Sequence, residues 1–315
     1  MVERVLLASP RGYCAGVERA VETVERALQL YGAPVYVRKQ IVHNIHVVRE
    51  LEERGAIFVD SEEEVPEGAT VVFSAHGVAP SVHANAEARS LSTIDATCPL
   101  VTKVHVQARR YAAEGYTIIL IGHAGHEEIE GTMGEAPDSI ILVESIEDAE
   151  ALVLPPDAKL AYITQTTLSV DETADVISVL RRRFPDIHAP KKEDICYATS
   201  NRQWAVKEML GLVDLLLVIG SRNSSNSNRL VEVARAGGVE SYLIEDETEI
   251  DEAWLDGIGT VGITSGASAP EKLVQRVCDW FRARGVAEIE DFASVYEDVV
   301  FKLPVELRRA ETPAA

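Results

Sequence analysis

The chain has 315 residues, 46% of them hydrophobic, and a formal net charge of −21. The hydrophobic content is ample for buried cores, and the acidic balance argues against a nucleic-acid partner, which normally selects a basic face. No unbroken apolar run approaches the roughly 18 residues of a membrane helix, so we expect no membrane span. The first residues show no targeting pattern, and four cysteines are too few for a disulfide framework. We therefore expect a cytoplasmic protein.

Short apolar strands alternate with amphipathic helices along the whole chain, a pattern typical of parallel α/β folds. The first third contains the strands VLLAS, VYVRK, AIFV and TVVFSA, with helices from Ala15, over IHVVRELEERG and near 82–89. The middle third contains TIILIG, IILVE and KLAYIT, with helices after Pro99 and Val170. The last third contains LLLVIG, SYLIE and GTVGIT, with helices after Ser200, Asn228 and Pro270.

Three cysteines recur at the same place in each third of the chain. Cys14, Cys98 and Cys196 each stand just before or at the start of a helical stretch. After each cysteine comes an apolar strand that ends in a polar loop, and further on a second strand and loop. A fixed period of repeated elements is a signal at the level of the fold. We therefore predict an α/β trefoil, in which three pseudo-threefold-related lobes with small parallel sheets direct three thiols at one central object.

The repeat also predicts where the lobes begin and end. The first lobe is expected over residues 1–97, the second over 98–193 and the third over 194–286. A C-terminal segment and tail, 287–315, would follow. The last residues of this tail, ETPAA, have the composition of disordered chain.

The spacing of the cysteines favours an iron–sulfur cluster over zinc. Structural zinc takes four protein ligands, usually in close pairs such as C-x-x-C, and the three cysteines form no such pair. A catalytic zinc bound by three thiolates stays an alternative. Iron–sulfur clusters favour thiolates throughout, and a cubane cluster held by three cysteines leaves one iron open to substrate. The fourth cysteine, Cys278, lies on an apolar helical pattern and is expected to be a buried core residue.

Polar side chains follow the predicted strands at equivalent loops. The carboxyl ends of parallel strands meet at one edge, so these side chains should converge on one cleft with the thiols. Backbone N–H groups and hydroxyls at a helix start bind anions readily. For any one of these residues a simple helix cap is an equally good interpretation. Together they predict a site for phosphate or diphosphate, formed by His43, His76, His126, Ser224, Ser225, Asn226 and Ser268.

Glu128 stands at a helix start, two residues after His126, in a site otherwise poor in acids. A buried carboxyl at this place could donate a proton to a bound substrate. A helix-start glutamate that only stabilises the helix dipole is an equal alternative.

At these residues the chain resembles the 4-hydroxy-3-methylbut-2-enyl diphosphate reductase family, whose members catalyse the last step of the methylerythritol phosphate route to isoprenoids. The similarity covers nearly the whole chain up to about residue 305 and includes EDVVFKLP. One departure is Glu127, where many members have proline. The matching segments, in chain order, are PRGYCAGVERA, QIVHN, SAHGV, DATCPLVTKVH, GHAGHEEIEG, TQTTLS, CYATSNRQ, GSRNSSNSNRL and TSGASAPEKLV.

The resemblance implies one 4Fe–4S cluster per chain, bound by Cys14, Cys98 and Cys196 with one iron left open. It implies that Glu128 delivers a proton, with His126 beside it, and that Thr166 contacts the substrate hydroxyl. It places the substrate diphosphate on the predicted anion-binding residues. The reaction that follows is a two-electron reductive dehydroxylation. It removes the C4 hydroxyl as water, and protonation of the allyl intermediate gives isopentenyl and dimethylallyl diphosphate.

The resemblance further implies a monomer that receives electrons from reduced ferredoxin or flavodoxin. Two interpretations from other classes stay open at the level of the residues. A non-catalytic iron–sulfur electron carrier or regulator would be expected to have a fourth ligand and no preformed anion pocket. A zinc-dependent phosphohydrolase that uses the histidines would be a colourless protein.

Overall fold

The structure is a computed structural model that describes residues 2–310. The predicted disordered tail, ETPAA, lies outside the described residues. By its internal contacts the chain forms two compact units. The first, which we call the five-stranded unit, contains the chain up to Val17, the segment His43–Val47 and Tyr197–Val300. The second, the two-sheet unit, contains Glu18–Val42, Val48–Cys196 and the chain from Phe301 onward.

One parallel sheet forms the centre of the five-stranded unit. Its strands are β1 (Arg4–Ser9), β9 (Leu215–Ile219), β10 (Glu240–Ile244), β11 (Thr260–Ser265) and β12 (Glu288–Ala293), in the order β10-β9-β11-β1-β12. β1, β9 and β11 are apolar along most of their length and buried on both faces, as expected of a parallel sheet covered on each side. Leu217 and Ile263 belong to the core on one face, and Leu216 and Val218 to the core on the other.

The two-sheet unit contains two smaller parallel sheets. The first has the order β3-β2-β4-β5 and the second the order β7-β6-β8. The three small parallel sheets that residues 2–310 form confirm the predicted α/β class. The strands are β2 (Val35–Arg38), β3 (Ala56–Val59), β4 (Thr70–Phe73), β5 (Ser92–Asp95), β6 (Thr117–Ile121), β7 (Ile140–Val143) and β8 (Leu160–Thr164).

Helices connect the parallel strands, as this connection requires. None of the helices in the described part of the chain combines the length and the apolar character of a bilayer span. In chain order they are α1 (Ala15–Tyr31), α2 (Ile45–Glu53), α3 (Pro80–Ala88), α4 (Pro99–Ala113), α5 (Glu127–Glu135), α6 (Ile146–Ala151), α7 (Val170–Arg183), α8 (Tyr197–Met209), α9 (Ser225–Ala236), α10 (Glu271–Arg282) and α11 (Val305–Ala310).

The first strand does not lie where the sequence analysis places it. The sequence pattern places VLLAS in the first lobe, whereas in the structure β1 pairs with β11 on one side and β12 on the other. A strand that is buried on both faces has no polar alternation to indicate its sheet, and its partners are set by packing over long sequence separation. β12 itself, EIEDFA, is a largely exposed edge strand rich in charge, which is why its sequence shows no strand signal. The exact lobe boundaries stay a prediction.

Candidate functional site

The structure distinguishes three cysteines from the fourth. Cys14, Cys98 and Cys196 are half-buried thiols, whereas Cys278 is a fully buried residue of the core on which α10 packs. Cys98 is the N-cap residue of α4, and the other two immediately precede α1 and α8. A helix N-terminus favours negative charge. The three thiols therefore stand at the positive ends of helix dipoles, and Cys278 is a core residue, as the sequence predicts.

The same backbone hydrogen bond fixes each of the three cysteines. In every case the cysteine N–H donates to a carbonyl two residues beyond the end of a strand, after β11, β4 and β8 respectively. This repeated contact is local structural support for the threefold equivalence that the sequence predicts. The pairs are Cys14 with Ala267 O at 3.2 Å, Cys98 with Ala75 O at 2.9 Å, and Cys196 with Thr166 O at 3.0 Å.

A second equivalence concerns the polar loops that precede α2, α5 and α9. His43, His126 and Ser224 lie five residues beyond the ends of β2, β6 and β9. Ser224 and His126 cap their helices, because the Ser224 Oγ accepts from the N–H of Ser227 at 3.3 Å and the His126 Nδ1 from that of Glu128 at 3.1 Å. The cap interpretation is therefore confirmed for Ser224 and His126, and the anion-site interpretation of the same residues stays a prediction.

In the five-stranded unit, the predicted anion-binding residues lie together. The Ser268 hydroxyl donates to the His43 carbonyl at 2.9 Å, and the Asn226 Oδ1 accepts from the N–H of Ala267 at 2.9 Å. His43, Ser224, Asn226 and Ser268 are buried, and Ser225, the first residue of α9, is half-buried. The start of α9 and the loop after β11 thus bring neutral N–H and O–H donors to one place, as a phosphate group requires.

His43 is a neutral side chain in this environment. Burial lowers its pKa to about 4, so the ring carries no charge at pH 7. The Asn223 amide lies 3.3 Å from the His43 Nδ1. With that amide as donor, the ring proton is assigned to Nε2, which can donate one hydrogen bond to an anion.

In the two-sheet unit, Thr166 holds both carboxyl oxygens of Glu128. The Thr166 N–H donates to Glu128 Oε1 at 2.6 Å and the Thr166 hydroxyl to Oε2 at 2.9 Å. Only 2% of Glu128 is exposed. Burial raises the pKa of Glu128 to about 7, although the two bonds from Thr166 act in the opposite direction. A carboxyl with this pKa can hold and release a proton near neutrality, which suits a general acid.

His76 and His126 face each other in the same unit. Their ring centroids are 5.6 Å apart and the rings are perpendicular. His76 follows β4 and His126 precedes α5, so two loops of the two-sheet unit bring them together. Because His126 Nδ1 accepts from the Glu128 backbone, the proton of its neutral ring lies on Nε2. The orientation of the His126 ring is therefore fixed by the backbone of Glu128 at the start of α5.

Two polar contacts near these loops are not predicted from the sequence. The Ser74 hydroxyl donates to Glu127 at 3.3 Å, and burial raises the pKa of Glu127 to about 7. In the five-stranded unit, the fully buried Arg202 donates to the Gly12 carbonyl at 2.8 Å, just before Cys14. The sequence offers one signal for each contact: the departure from proline at Glu127 and the arginine inside CYATSNRQ. Neither signal identifies the partner residue.

Comparison with known proteins identifies the class. Residues 5–282 match the family model described as LytB protein. The chain is 62% identical, over 97% of its length, to 4-hydroxy-3-methylbut-2-enyl diphosphate reductase from Acidothermus cellulolyticus and covers 90% of that protein. It is 58% identical, over 98% of its length, to the protein of that name from Rhodococcus opacus and covers 93% of it.

A solved structure agrees with these sequence matches. The E-1-hydroxy-2-methyl-but-2-enyl-4-diphosphate reductase from Plasmodium falciparum has a TM-score of 0.96 and 39% identity to this chain, over 98% of each chain. The chain therefore belongs to the LytB family, which confirms the family that the motifs predict.

Proposed function

We propose that the chain reduces 4-hydroxy-3-methylbut-2-enyl diphosphate to isopentenyl and dimethylallyl diphosphate, the last step of the methylerythritol phosphate pathway. Its class, an oxidoreductase, follows from membership of the family. The observation that carries the proposal is the buried Glu128 carboxyl, which Thr166 holds with two hydrogen bonds beside His126. Such a carboxyl is suited to give a proton to a small substrate in a site shielded from water.

The cysteines fit an iron–sulfur cluster. Three thiols stand at equivalent helix starts, each fixed by the same backbone hydrogen bond, and a donor set of thiolates is the one that iron–sulfur clusters prefer. We assign Cys14, Cys98 and Cys196 as the ligands of one 4Fe–4S cluster with an open iron. When bound, that cluster supplies the electrons and a Lewis acid for the substrate oxygen. We propose reduced ferredoxin or flavodoxin as the electron donor. The protein itself is proposed to be a cytoplasmic monomer.

The diphosphate is bound by neutral donors. We assign this role to the histidine rings and to the hydroxyl and amide groups at the start of α9 and after β11. Each hydrogen bond to a charged acceptor contributes roughly 1.5–3 kcal/mol. The proposed anchors are His43, His76, His126, Ser224, Ser225, Asn226 and Ser268.

Protons must balance the two electrons. The released hydroxide takes up one proton to become water, and the carbon that becomes a C–H takes up the second. Glu128 is the residue that we assign to proton delivery, because its pKa of about 7 lets it be protonated and reprotonated near neutral pH. Thr166, which holds both oxygens of that carboxyl, is assigned to the substrate hydroxyl.

Cysteine substitution tests the proposal. We expect the anaerobically purified protein to be brown, to contain iron and sulfide, and to convert the hydroxy diphosphate. Cys14→Ser, Cys98→Ser and Cys196→Ser should each lose iron and turnover. Cys278→Ala, the matched control, should keep both because that thiol is a core residue.

Two outcomes would contradict the proposed function. A protein that retains iron and sulfide but converts no substrate would be an electron carrier or regulator. A colourless protein that contains zinc and releases phosphate from the diphosphate would be a phosphohydrolase.

A further inference from the structure

Lys103 joins α4, the helix that follows Cys98, to the segment that precedes Cys196. Its ammonium lies 3.0 Å from the Lys192 carbonyl oxygen, 2.7 Å from that of Glu193 and 3.0 Å from Asp194 Oδ1. A lysine ammonium has three N–H donors. Three oxygens of one short segment therefore surround this ammonium, and all of these residues lie within the two-sheet unit.

Asp194 extends the connection to the sheet. Its side chain has no exposed surface, and its second oxygen accepts from the N–H of Thr164 at 3.2 Å. Thr164 is the last residue of β8, and two residues further on the Thr166 carbonyl accepts from the N–H of Cys196. Through Asp194, the Lys103 ammonium on α4 is thus connected to Thr164 at the end of β8. The Cys196 backbone is bound to Thr166, two residues beyond that end.

Apolar packing holds this segment on one side only, where Ile195 packs against the core around β6 and β8. Glu193, Asp194 and Ile195 line one side of a cavity of about 360 Å³, with Tyr162 and Thr173 also on its wall. A segment beside open space lacks the close contacts that restrain a packed core. On the open side, the polar contacts to Lys103 restrain this stretch of chain, in addition to the Ile195 packing and the backbone hydrogen bonds of Thr164 and Cys196.

We propose that Lys103 is a positioning residue that fixes the 192–196 segment against α4, so that Cys196 is held in place relative to Cys98 before any cluster binds. This inference rests on the proposed function insofar as these cysteines are cluster ligands. The oxygens lie around a compact ammonium, whereas a guanidinium is a planar fork. Lys103→Arg therefore keeps the charge without reproducing the three contacts.

A double substitution separates positioning from simple stability. Lys103→Met leaves the Asp194 carboxylate buried without its cation, which is strongly destabilising. Removing both charges in Lys103→Met/Asp194→Asn should restore most of the urea midpoint, because no buried carboxylate is left without a cation and the amide oxygen can still accept from the Thr164 N–H. The control is Lys159→Met, since the exposed Lys159 also donates to a backbone carbonyl in this unit, that of Glu114, at 2.9 Å.

Two measurements make the test. In the cluster-free protein, alkylation of Cys196, followed by mass spectrometry, should accelerate in the single and the double variant, whereas the buried Cys278 should stay unreactive. In the loaded protein, loss of iron to a chelator should be about 10-fold to 100-fold faster in both variants, the usual cost of losing a group that orients a metal ligand. The Lys159→Met control should match the parent in both assays.

The outcomes distinguish this inference from the proposed function. If the double variant regains the parent's midpoint, alkylation rate and iron retention, Lys103 contributes stability only and the proposal is wrong. If alkylation responds as expected but Cys196→Ser retains iron like the parent, the positioning role stands and the ligand assignment fails. Rescue of both readouts by Lys103→Arg would also contradict the proposal, because charge alone would then suffice.

Discussion

At the scale of single residues, two adjacent carboxyls of α5 have distinct surroundings. Glu128 is buried and receives both donors of Thr166, whereas Glu127 is half-buried and receives one hydrogen bond from Ser74. Burial raises the pKa of each to about 7. A raised pKa alone does not identify the proton donor, since structural networks also produce such shifts. Substitution of each residue can separate the two roles.

We expect Glu128→Gln to lower turnover by about 10²–10⁴, the usual contribution of a positioned acid or base. The amide is nearly isosteric and still forms hydrogen bonds but cannot give up a proton at useful pH. Iron content and substrate affinity should stay at the parent's level. Glu127→Gln is the matched control and should keep most of the turnover. Near-normal turnover of Glu128→Gln with full iron content would show that Glu128 only stabilises the helix start and does not deliver the proton.

Glu127 should make the stability of the cluster-free protein depend on pH. Its pKa is about 7 in the folded chain against an ordinary 4.5, so between these values the folded state binds more protons than the unfolded state. The free energy of unfolding therefore falls as the pH rises from about 4.5 through 7. Glu127→Gln should be more stable than the parent at pH 8 by about 2 kcal/mol, reduced from the full shift because the side chain is partly exposed.

Urea unfolding at pH 5 and pH 8 measures this difference. The comparison must be between variants, because the lowered pKa of His43 acts in the opposite direction with pH. The exposed Glu147, on α6 in the same unit, provides the control substitution Glu147→Gln. A stability gain that is equal at the two pH values would show that the effect comes from packing and not from ionisation.

At the scale of secondary-structure elements, the start of α9 is the part of the anion site that can be tested most cleanly. Asn226 contributes both ends of its amide, to the Ala267 N–H and to the Thr199 hydroxyl at 3.3 Å. We expect Asn226→Ala to weaken substrate binding by about one to two orders of magnitude, because one hydrogen bond to a charged group is lost. Titration of the oxidised protein with substrate measures this loss of affinity.

A matched control lies two residues along the same helix. Asn228 donates only to the carbonyls of Arg222 and Ser224, so Asn228→Ala should bind substrate like the parent. Pyrophosphate should compete with substrate in the parent and more weakly in Asn226→Ala. If Asn226→Ala and Asn228→Ala bind substrate with equal affinity, the start of α9 is not part of the anion site.

The elements also show what the sequence can predict and what it cannot. Strand and helix patterns locate β6, β9 and α10 well, because local periodicity and flanking loops encode them. The structure starts α8 at Tyr197 and α9 at Ser225, a few residues before the starts predicted after Ser200 and Asn228. The loops before these helices end at Cys196 and Ser224. The strand pairing of β1 and the contacts of Lys103 and Glu127 join residues far apart in the chain. No local pattern specifies such partners.

At the scale of the whole molecule, the net charge of −21 acts against an anionic substrate. The proposed anchors do not offset it at long range, because histidines, hydroxyls and amides are neutral donors and His43 in particular carries no charge at pH 7. The binding energy of the diphosphate is then local, made by hydrogen bonds at the helix start, whereas the approach of the substrate is opposed by the field of the whole surface.

Salt should therefore speed association. Between roughly 0.01 M and 0.15 M ionic strength the screening length falls from about 30 Å to about 8 Å, so the repulsion between the acidic surface and the diphosphate weakens before the substrate reaches its anchors. We expect the association rate constant, measured by stopped flow, to rise severalfold over this range. The association rate is the right observable, because added anions compete for the anchors and so lower the equilibrium affinity for a separate reason. An association rate that falls with salt would mean that basic side chains near the entrance dominate the local field, and that the neutral donors are only part of the anion site.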